Sequence, residues 1–309
     1  MSWAIWVIAS LCSGYLLMKS GGGRRELRTL VWGVPVLAVW LGYLSVRQAA
    51  PGFAMLVLIL LLFLGMKNVV VVYRYRGQGR LNLGQWLCFA LGWPGMDPLP
   101  FERLGEKRAF NKAYLYSGLL SLFAGCCLLY LLAWLLRYTA LPAYVLCLCS
   151  FVPFVLIFHM GFFTIVAALW ERAGVVTGTL MDAPWKAESL SSFWGKRWNV
   201  AFIQMTRTCL FVPMARKGRA PFALALSFAV SGIFHEVALT LPAHGGYGMP
   251  LLYFVLQFVL VHIEKRFRHR WSRPAQKLWI WAALLVPFPL LFPPPFLCKV
   301  ILPLLQGLS

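Results

Sequence analysis

The sequence predicts an all-α fold, a polytopic bundle of membrane-spanning helices that forms one domain over residues 1–309. Of the 309 residues, 61% are hydrophobic and only 12% are charged, a composition that water-soluble domains rarely have. Several apolar runs approach or reach the ~20 residues that a helix needs to cross ~30 Å of hydrocarbon. These runs are continuously apolar rather than alternating, which argues against a β-barrel.

We predict about eight spans in chain order: residues 3–18, 29–45, 52–72, 114–136, 141–169, 221–241, 250–263 and 278–292. Two connecting segments, 73–112 and 171–220, are much longer than ordinary connections between helices. Each contains an apolar or amphipathic stretch, 82–93 in the first and 200–214 in the second. We expect these stretches to form interfacial or re-entrant helices on the cytoplasmic face.

Basic residues are concentrated in alternate connections. The segments 19–28, 73–112, 171–220 and 264–277 hold 25 of the 29 lysines and arginines. The opposite connections hold only Arg47, Arg137 and Lys299, and Lys67 lies inside a span, from which it can snorkel to the basic end. By the positive-inside rule the basic side is the cytoplasm and the N-terminus lies outside or in the lumen.

The same pattern explains the formal net charge of +20 without a nucleic-acid partner. We expect a multi-pass integral membrane protein, in the endoplasmic reticulum of a eukaryote or the inner membrane of a bacterium. The eight cysteines form no CxxC pair and lie mostly in apolar runs, so they indicate packing residues rather than a zinc site. We expect no metal and no bound cofactor.

The predicted span 221–241 carries two ionisable side chains, His235 and Glu236, where charge is costly. Helical spacing places Ser227, Ser231 and His235 on one face and Glu236 about 100° further round. One interpretation is a general base in an enclosed cavity, because a neutral imidazole can take a proton near neutral pH. The other is a histidine that packs between helices, with Glu236 capping a helix–helix contact in its protonated form.

Residues 192–199 read Ser-Phe-Trp-Gly-Lys-Arg-Trp-Asn. Their aromatic and basic side chains are typical of an interfacial anchor, with tryptophan at the headgroups and cations towards lipid phosphate. Asn199 is the residue that this interpretation explains least. The other histidines and Glu264 have simpler explanations than catalysis. His159 is expected to pack or line a cavity within its span, and His262 and Glu264 are expected to make structural or headgroup contacts near solvent. His244 is expected to be solvated in an outer loop. The basic run 265–273 fits a positive-inside anchor, or attraction of an anionic, phosphorylated ligand.

Residues 192–199, followed after about 35 residues by Ser231-Gly-Ile-Phe-His-Glu236, resemble the wax synthase branch of the membrane-bound O-acyltransferase superfamily. Plant members have similar Phe-Trp-Gly-Arg-Arg-Trp-Asn and Ser-Gly-Leu-x-His-Glu stretches, and residues 253–258 look like that family's next helix. The resemblance is strongest over 180–270. This chain differs at Lys196, where the plant motif commonly has arginine.

The resemblance implies that His235 is the catalytic histidine and Asn199 its polar partner. Supporting or substrate-binding roles would then fall to the neighbouring motif residues, which are Glu236, Ser231, Trp194, Lys196, Arg197 and Trp198. The implied reaction transfers a fatty acyl group from acyl-CoA, a co-substrate, to a long-chain alcohol and gives a wax ester. Lys196, Arg197 and the Arg216–Arg219 cluster would face the coenzyme A phosphates. A different acceptor (a sterol, a diacylglycerol or a cell-envelope sugar) and a proton-coupled transporter remain as alternatives.

Overall fold

The computed structural model describes residues 2–20, 25–75, 78–106, 108 and 110–308, and over these ranges the chain is helical, without strands. Arg24, Arg76 and Lys107, three of the basic residues counted above, lie outside the described residues. Eleven principal helices follow one another: α1 Ser2–Lys19, α2 Glu26–Val46, α3 Pro51–Tyr75, α4 Leu83–Gly92, α5 Lys112–Tyr138, α6 Ala143–Arg172, α7 Val200–Ala215, α8 Ala220–Ala243, α9 Met249–Phe267, α10 Arg273–Leu291 and α11 Pro294–Leu308.

Among the described residues, seven helices are long and apolar enough to cross a membrane, namely α1, α2, α3, α5, α6, α8 and α10. They correspond to seven of the eight predicted spans, so the helical membrane bundle is confirmed. The remaining predicted span, 250–263, lies within α9. This helix has 19 residues but ends in the charged Glu264, Lys265 and Arg266, and it packs along α8.

The connections converge at two ends of the bundle, as the charge pattern predicts. At one end the Lys19 Nζ donates to the Gly79 carbonyl at 3.1 Å, and this hydrogen bond joins two of the basic segments. We call this end of the bundle the basic end. At the opposite end His244 Nε2 donates to the Arg47 carbonyl at 3.1 Å, and Lys299 Nζ donates to the Ala243 carbonyl at 2.7 Å. These contacts support the assignment of Arg47 and Lys299 to the side opposite the basic segments.

Helix α4 penetrates the bundle rather than lying on its surface. Its Trp86 Nε1 donates to the Leu11 carbonyl at 3.1 Å. Leu11 lies eight residues before the basic end of α1, about 12 Å along the helix. Trp86 and Phe89 are fully buried, whereas Leu83 and Leu91 on the opposite face are exposed. Of the two predicted arrangements, interfacial and re-entrant, α4 adopts the re-entrant one.

Lys67 holds the inner end of α4, and the prediction that it snorkels to the basic end is wrong. Its side chain is 1% exposed. Its Nζ donates to three carbonyls, of Phe89 at 2.7 Å, Trp93 at 2.7 Å and Gly95 at 2.9 Å. All three ammonium hydrogens therefore have acceptors within the protein, at a helix C-terminus whose dipole favours a cation.

Helix α7 also enters the core. Its buried residues Ala201, Met205 and Cys209 pack with the valines of α3 and with Phe89. Gln204 Oε1 accepts a hydrogen bond from the Met96 backbone N–H at 2.9 Å, which ties α7 to the loop that Lys67 anchors. The two long connecting segments are therefore folded against each other inside the bundle.

Several helices contain π turns, in which the backbone hydrogen bond spans five residues instead of four. The N–H of Leu241 donates to the carbonyl of Glu236, directly after His235. A similar turn precedes α7, and others lie within α6, within α7 and in the first half of α11. In chain order these four turns are Val155–Phe162, Phe193–Arg197, Arg207–Phe211 and Leu297–Ile301.

Candidate active site

His235 lies in α8, about 12 Å along the helix from its outer end at Ala243. Its Nδ1 lies 2.7 Å from the carbonyl oxygen of Ser231. Because a carbonyl can only accept, Nδ1 carries the hydrogen, and Nε2 keeps its lone pair in the neutral ring. The side chain is half-buried, so Nε2 belongs to a ring that is partly accessible within the bundle. The geometry suits a proton acceptor.

Close packing of α8 on α9 sets the position of His235. A Cβ placed on Gly232 would lie 3.0 Å from the Leu251 Cα and 2.7 Å from its Cδ1, so only glycine fits without a shift. Across the same contact the His235 ring lies 4.7 Å from the Phe254 ring. Ser231 is buried beside the glycine. The Ser-Gly-x-x-His spacing thus combines a carbonyl acceptor, a close helix contact and the histidine on one helix.

Glu236 makes a structural contact between the same two helices. Its Oε1 accepts from the Leu251 N–H at 3.0 Å, and its Oε2 accepts from Thr240 Oγ1 at 2.7 Å. Leu251 is in the first turn of α9, where backbone N–H groups lack partners within the helix. The carboxyl group therefore caps α9, in agreement with the predicted alternative of a helix–helix contact.

Trp194 lies deep in the bundle, not at the headgroup level that the anchor interpretation predicts. Its Nε1 donates to the Oε1 of Gln257 at 3.1 Å, ten residues (about 15 Å) from the basic end of α9. Gln257 is fully buried and donates from Nε2 to the Ala283 carbonyl at 2.7 Å. The Trp194 ring lies 5.8 Å from Phe254. Phe254 therefore contacts both Trp194 and His235, which joins the two predicted motifs.

Lys196, Arg197 and Trp198, later in the same motif, have different environments. Lys196 is exposed. Arg197 is engaged with the chain before it, since its Nη1 donates to the Asp182 carbonyl at 2.9 Å and lies 3.6 Å from the Asp182 carboxylate. Trp198 stacks on Phe193 at 5.3 Å. Arg197 and Trp198 thus stabilise the fold of the segment, and Lys196 is the residue of this run with a free surface.

Asn199 begins α7 in a left-handed backbone conformation, with φ of 49°. Asparagine tolerates this region better than most residues. Its Oδ1 accepts from the Phe202 N–H at 3.2 Å as an N-cap. This bond fixes the amide plane and leaves the Nδ2 donors without a protein partner in the part of the chain that the structure describes.

No hydrogen bond joins Asn199 to His235 within the described ranges. The connection runs through Phe202, one turn beyond Asn199, whose ring lies 6.2 Å from that of Phe234. The start of α7 is thereby packed against the turn of α8 that carries His235.

The other histidines have separate surroundings. His159 lies in the π turn of α6, where its Nδ1 is buried and has no hydrogen-bond partner among the residues that the structure describes. His262 is exposed near the basic end of α9, and His244 joins two outer loops. The residues that sequence reasoning missed are Gln257 and Phe254. An amide in the middle of the predicted span 250–263 was the available signal for Gln257, because such groups rarely face lipid.

The search of curated proteins finds no match to the chain. A family model does match: residues 177–256 fit the membrane bound O-acyl transferase family. The matched region is about a quarter of the chain and contains Trp194, Asn199, Ser231, His235 and Phe254. The matched region therefore includes both Trp194 and His235, which the structure connects through Phe254. The match supports a relationship of this region to the membrane-bound O-acyltransferase superfamily.

Proposed function

We propose that the protein is a membrane O-acyltransferase that moves a fatty acyl group from acyl-CoA to a hydrophobic alcohol, with a long-chain alcohol as acceptor and a wax ester as product. The observation that carries the proposal is the position of His235 inside a lipid-embedded bundle, against the buried Phe254, with its Nδ1 bonded to the Ser231 carbonyl so that Nε2 is left as a proton acceptor. The family match of residues 177–256 supports acyl transfer as the reaction class.

In the proposed reaction Nε2 of His235 takes the hydroxyl proton as the alcohol oxygen attacks the thioester carbonyl carbon. The carbonyl electrons move to oxygen, and they return when the carbon–sulfur bond breaks. The departing thiolate takes the proton back from the imidazolium, so the products are the ester and the free thiol. General-base catalysis of this kind contributes about 10²–10⁴-fold to the rate.

The neighbouring side chains would orient the groups that react. Asn199 Nδ2 can donate to the acyl carbonyl oxygen, because its Oδ1 is already fixed by the Phe202 N–H. Phe254 and Trp194 would hold the His235 ring and present an apolar wall to the acyl chain. Ile233, two residues from His235, is 50% exposed on the outer surface of the bundle. A hydrophobic product formed here would have a short path into lipid.

The donor's phosphates would be met at the basic end. Lys196 and the exposed Arg216, Lys217 and Arg219 supply cationic groups there. Cationic side chains form the strongest hydrogen bonds to phosphate oxygens. Arg197 is less available for this role, because its guanidinium already bonds to Asp182.

Two alternative functions are distinguished by the expression experiment described below. An O-acyltransferase whose acceptor is a sterol, a diacylglycerol or a cell-envelope sugar would use the same histidine as general base. A proton-coupled transporter would use His235 and Glu236 as a relay. The contacts of Glu236 with Leu251 and Thr240 disfavour the relay, since both carboxyl oxygens already have donors.

The test is expression of the full chain in a host that lacks neutral-lipid synthesis, with and without added fatty alcohol, followed by lipid extraction. Wax esters should form with the wild type and with His262→Ala and be lost with His235→Ala, at equal amounts of membrane protein. Wax ester formation that is undiminished in His235→Ala would overturn the mechanism. Esters of sterol or diacylglycerol instead of wax would replace the acceptor, and proton-coupled flux without any ester would favour the transporter.

A further inference from the structure

A cleft of about 510 Å³ opens at the basic end, away from His235. It lies where α9 ends, α10 begins and the Ser189–Ser192 turn crosses them. Its lining side chains are polar or charged: Ser189, Ser191, Glu264, Lys265, Arg268, His269 and Gln276. The proposed reaction uses none of these residues. The cleft therefore needs an explanation of its own.

Positive charge dominates the cleft. Lys265 and Arg268 are the basic side chains of the lining together with His269, and Glu264 is the one acid in the lining. Glu264 is 2% exposed, and both of its oxygens lie within hydrogen-bond distance of the Leu190 N–H, at 3.0 Å and 2.9 Å. The carboxyl group is thus engaged by the backbone, and the other groups of the lining are the two cations, His269, Gln276, the exposed Ser191 hydroxyl and the buried Ser189 hydroxyl.

The structure holds Arg268 in position from one side. Its Nε donates to Gln276 Oε1 at 3.1 Å, and the Gln276 Nε2 donates back to the carbonyls of Arg268 at 3.2 Å and Trp271 at 2.9 Å. This arrangement leaves the two Nη groups of Arg268 as donors at the cleft. An arginine with a fixed guanidinium plane suits the oxygens of a phosphate, which accept two parallel hydrogen bonds.

The serines add further donors. Ser189 Oγ accepts from the Ser192 N–H at 2.9 Å, so its own hydrogen is left to donate to an acceptor in the cleft. Ser191 is exposed at the rim. Two guanidinium nitrogens, one ammonium group and two hydroxyls around a cleft of this size match a phosphate ester better than a carboxylate, which has fewer oxygens to satisfy.

The surroundings indicate a ligand with hydrocarbon chains. Helices α9 and α10 expose large apolar side chains close in sequence to the lining residues, with Phe267, next to Arg268, 38% exposed and Leu278, two residues after Gln276, 72% exposed. Such side chains next to clustered cations are typical of the membrane surface, where headgroups meet hydrocarbon. A phosphate in the cleft could therefore have its acyl chains against α9 and α10.

The interior of the bundle does not continue the cleft towards His235. Phe193, Trp194, Phe228, Phe254 and Phe258 pack together between the two sites. A donor molecule with its phosphates in this cleft would have to pass through that packed aromatic cluster to reach Nε2. We infer that the cleft is a second site, which binds the phosphate headgroup of an anionic phospholipid rather than the acyl donor.

The test uses the full-length protein, purified in mild detergent and studied by native mass spectrometry with added phosphatidic acid or phosphatidylcholine. The wild type should retain one phosphatidic acid in preference to phosphatidylcholine. The variant Lys265→Gln/Arg268→Gln should bind it about tenfold more weakly, as expected for the loss of two charge-assisted contacts. The matched control Arg273→Gln/Lys277→Gln removes the same charge from exposed residues outside the lining and should bind like the wild type.

Three results would overturn the inference. Equal weakening in both double variants would indicate diffuse attraction to the basic end. Stabilisation of the wild type by inorganic phosphate, without retained lipid, would indicate a site for free anions. Displacement of the lipid by coenzyme A would indicate the donor site. The single variant Lys265→Gln provides the same comparison if the double variant does not fold, and His235→Ala should bind lipid normally, so this test is independent of the proposed reaction.

Discussion

His235 and His262 have nearly the same local geometry but different surroundings. Each donates Nδ1–H to the carbonyl four residues earlier, at 2.7 Å and 2.8 Å. Each ring lies beside a phenylalanine of α9, Phe254 at 4.7 Å and Phe258 at 4.4 Å. The hydrogen bond therefore selects the same tautomer in both, with Nε2 free to accept a proton.

The two residues differ in depth and in what lies next to the ring. His235 is half-buried, next to a phenylalanine that is 2% exposed and also touches Trp194. His262 is exposed at the end of its helix, five residues before Phe267. Water can compete for Nε2 of His262, whereas a substrate can displace water at His235. A histidine bonded to the preceding turn is thus common to both sites, and the enclosed surroundings distinguish the candidate base.

The largest expected difference between the two is catalytic. His235→Ala should lower the rate of ester formation by about 10²–10⁴-fold, the usual contribution of a general base. His262→Ala should change the rate by less than about twofold, because no reacting group is expected there. Initial rates with purified protein and labelled acyl-CoA measure both. Equal losses in the two variants would show that depth does not distinguish them.

The phenylalanine beside each histidine gives the second comparison. Phe254→Ala should destabilise the protein more than Phe258→Ala. A buried phenylalanine replaced by alanine in a water-soluble core costs ~3–5 kcal/mol, and this is the upper limit for Phe254→Ala. The figure should be lower in a bilayer, where lost packing is the main cost. Thermal unfolding midpoints in detergent measure the difference. A larger effect for Phe258, which is less buried, would contradict the described packing.

Glu236 and Glu264 extend the comparison to the carboxyl groups. Glu236→Ala leaves the Leu251 N–H without its acceptor and should cost about 1–3 kcal/mol, while Glu236→Gln keeps an acceptor and should cost less. Glu264→Gln should also be mild, since the amide keeps one oxygen as an acceptor for the Leu190 N–H. Unfolding midpoints and rates are measured together. A Glu236→Gln protein of normal stability without any activity would point to a proton relay.

An effect of similar size is expected at the helix contact beneath His235. Gly232→Ala adds a methyl group 3.0 Å from the Leu251 Cα and should cost about 1–3 kcal/mol through overpacking. Gly33→Ala is the control, because outside its own helix backbone and chain neighbours no atom of the described residues lies within 4 Å of the added methyl group. A shift of His235 against Phe254 should also lower the rate of Gly232→Ala. An unchanged midpoint would mean that α8 and α9 can separate freely.

The sequence was sufficient for the bundle and for the loop arrangement. Long apolar runs predict spans because the bilayer fixes their length, and alternating basic segments predict which connections share an end. The contacts of Lys19 with Gly79 and of His244 with Arg47 agree with that arrangement. The family resemblance pointed to His235 and Asn199, and the structure links their segments through Phe202 and Phe234.

What the sequence could not supply were partners distant in the chain. Lys67 has three carbonyl acceptors that lie 22 to 28 residues away, so its burial depends on the re-entrant course of α4. Trp194 reads as an interfacial anchor until Gln257, 63 residues on, provides an acceptor inside the bundle. In both cases the local sequence indicates a surface residue, and tertiary hydrogen bonds make burial possible.

Three of the π turns are followed by a proline, and this pairing indicates how the length of these helices can differ among related chains. Leu241, Val212 and Leu302 each donate to the carbonyl five residues earlier, and the next residue is Pro242, Pro213 or Pro303. A proline ring clashes with the carbonyl four residues before it in a regular helix, and a wide turn relieves the clash. A wide turn also contains one extra residue. We expect related chains that lose one residue between 236 and 240 to lose the proline as well, so that insertion and proline are inherited as a pair.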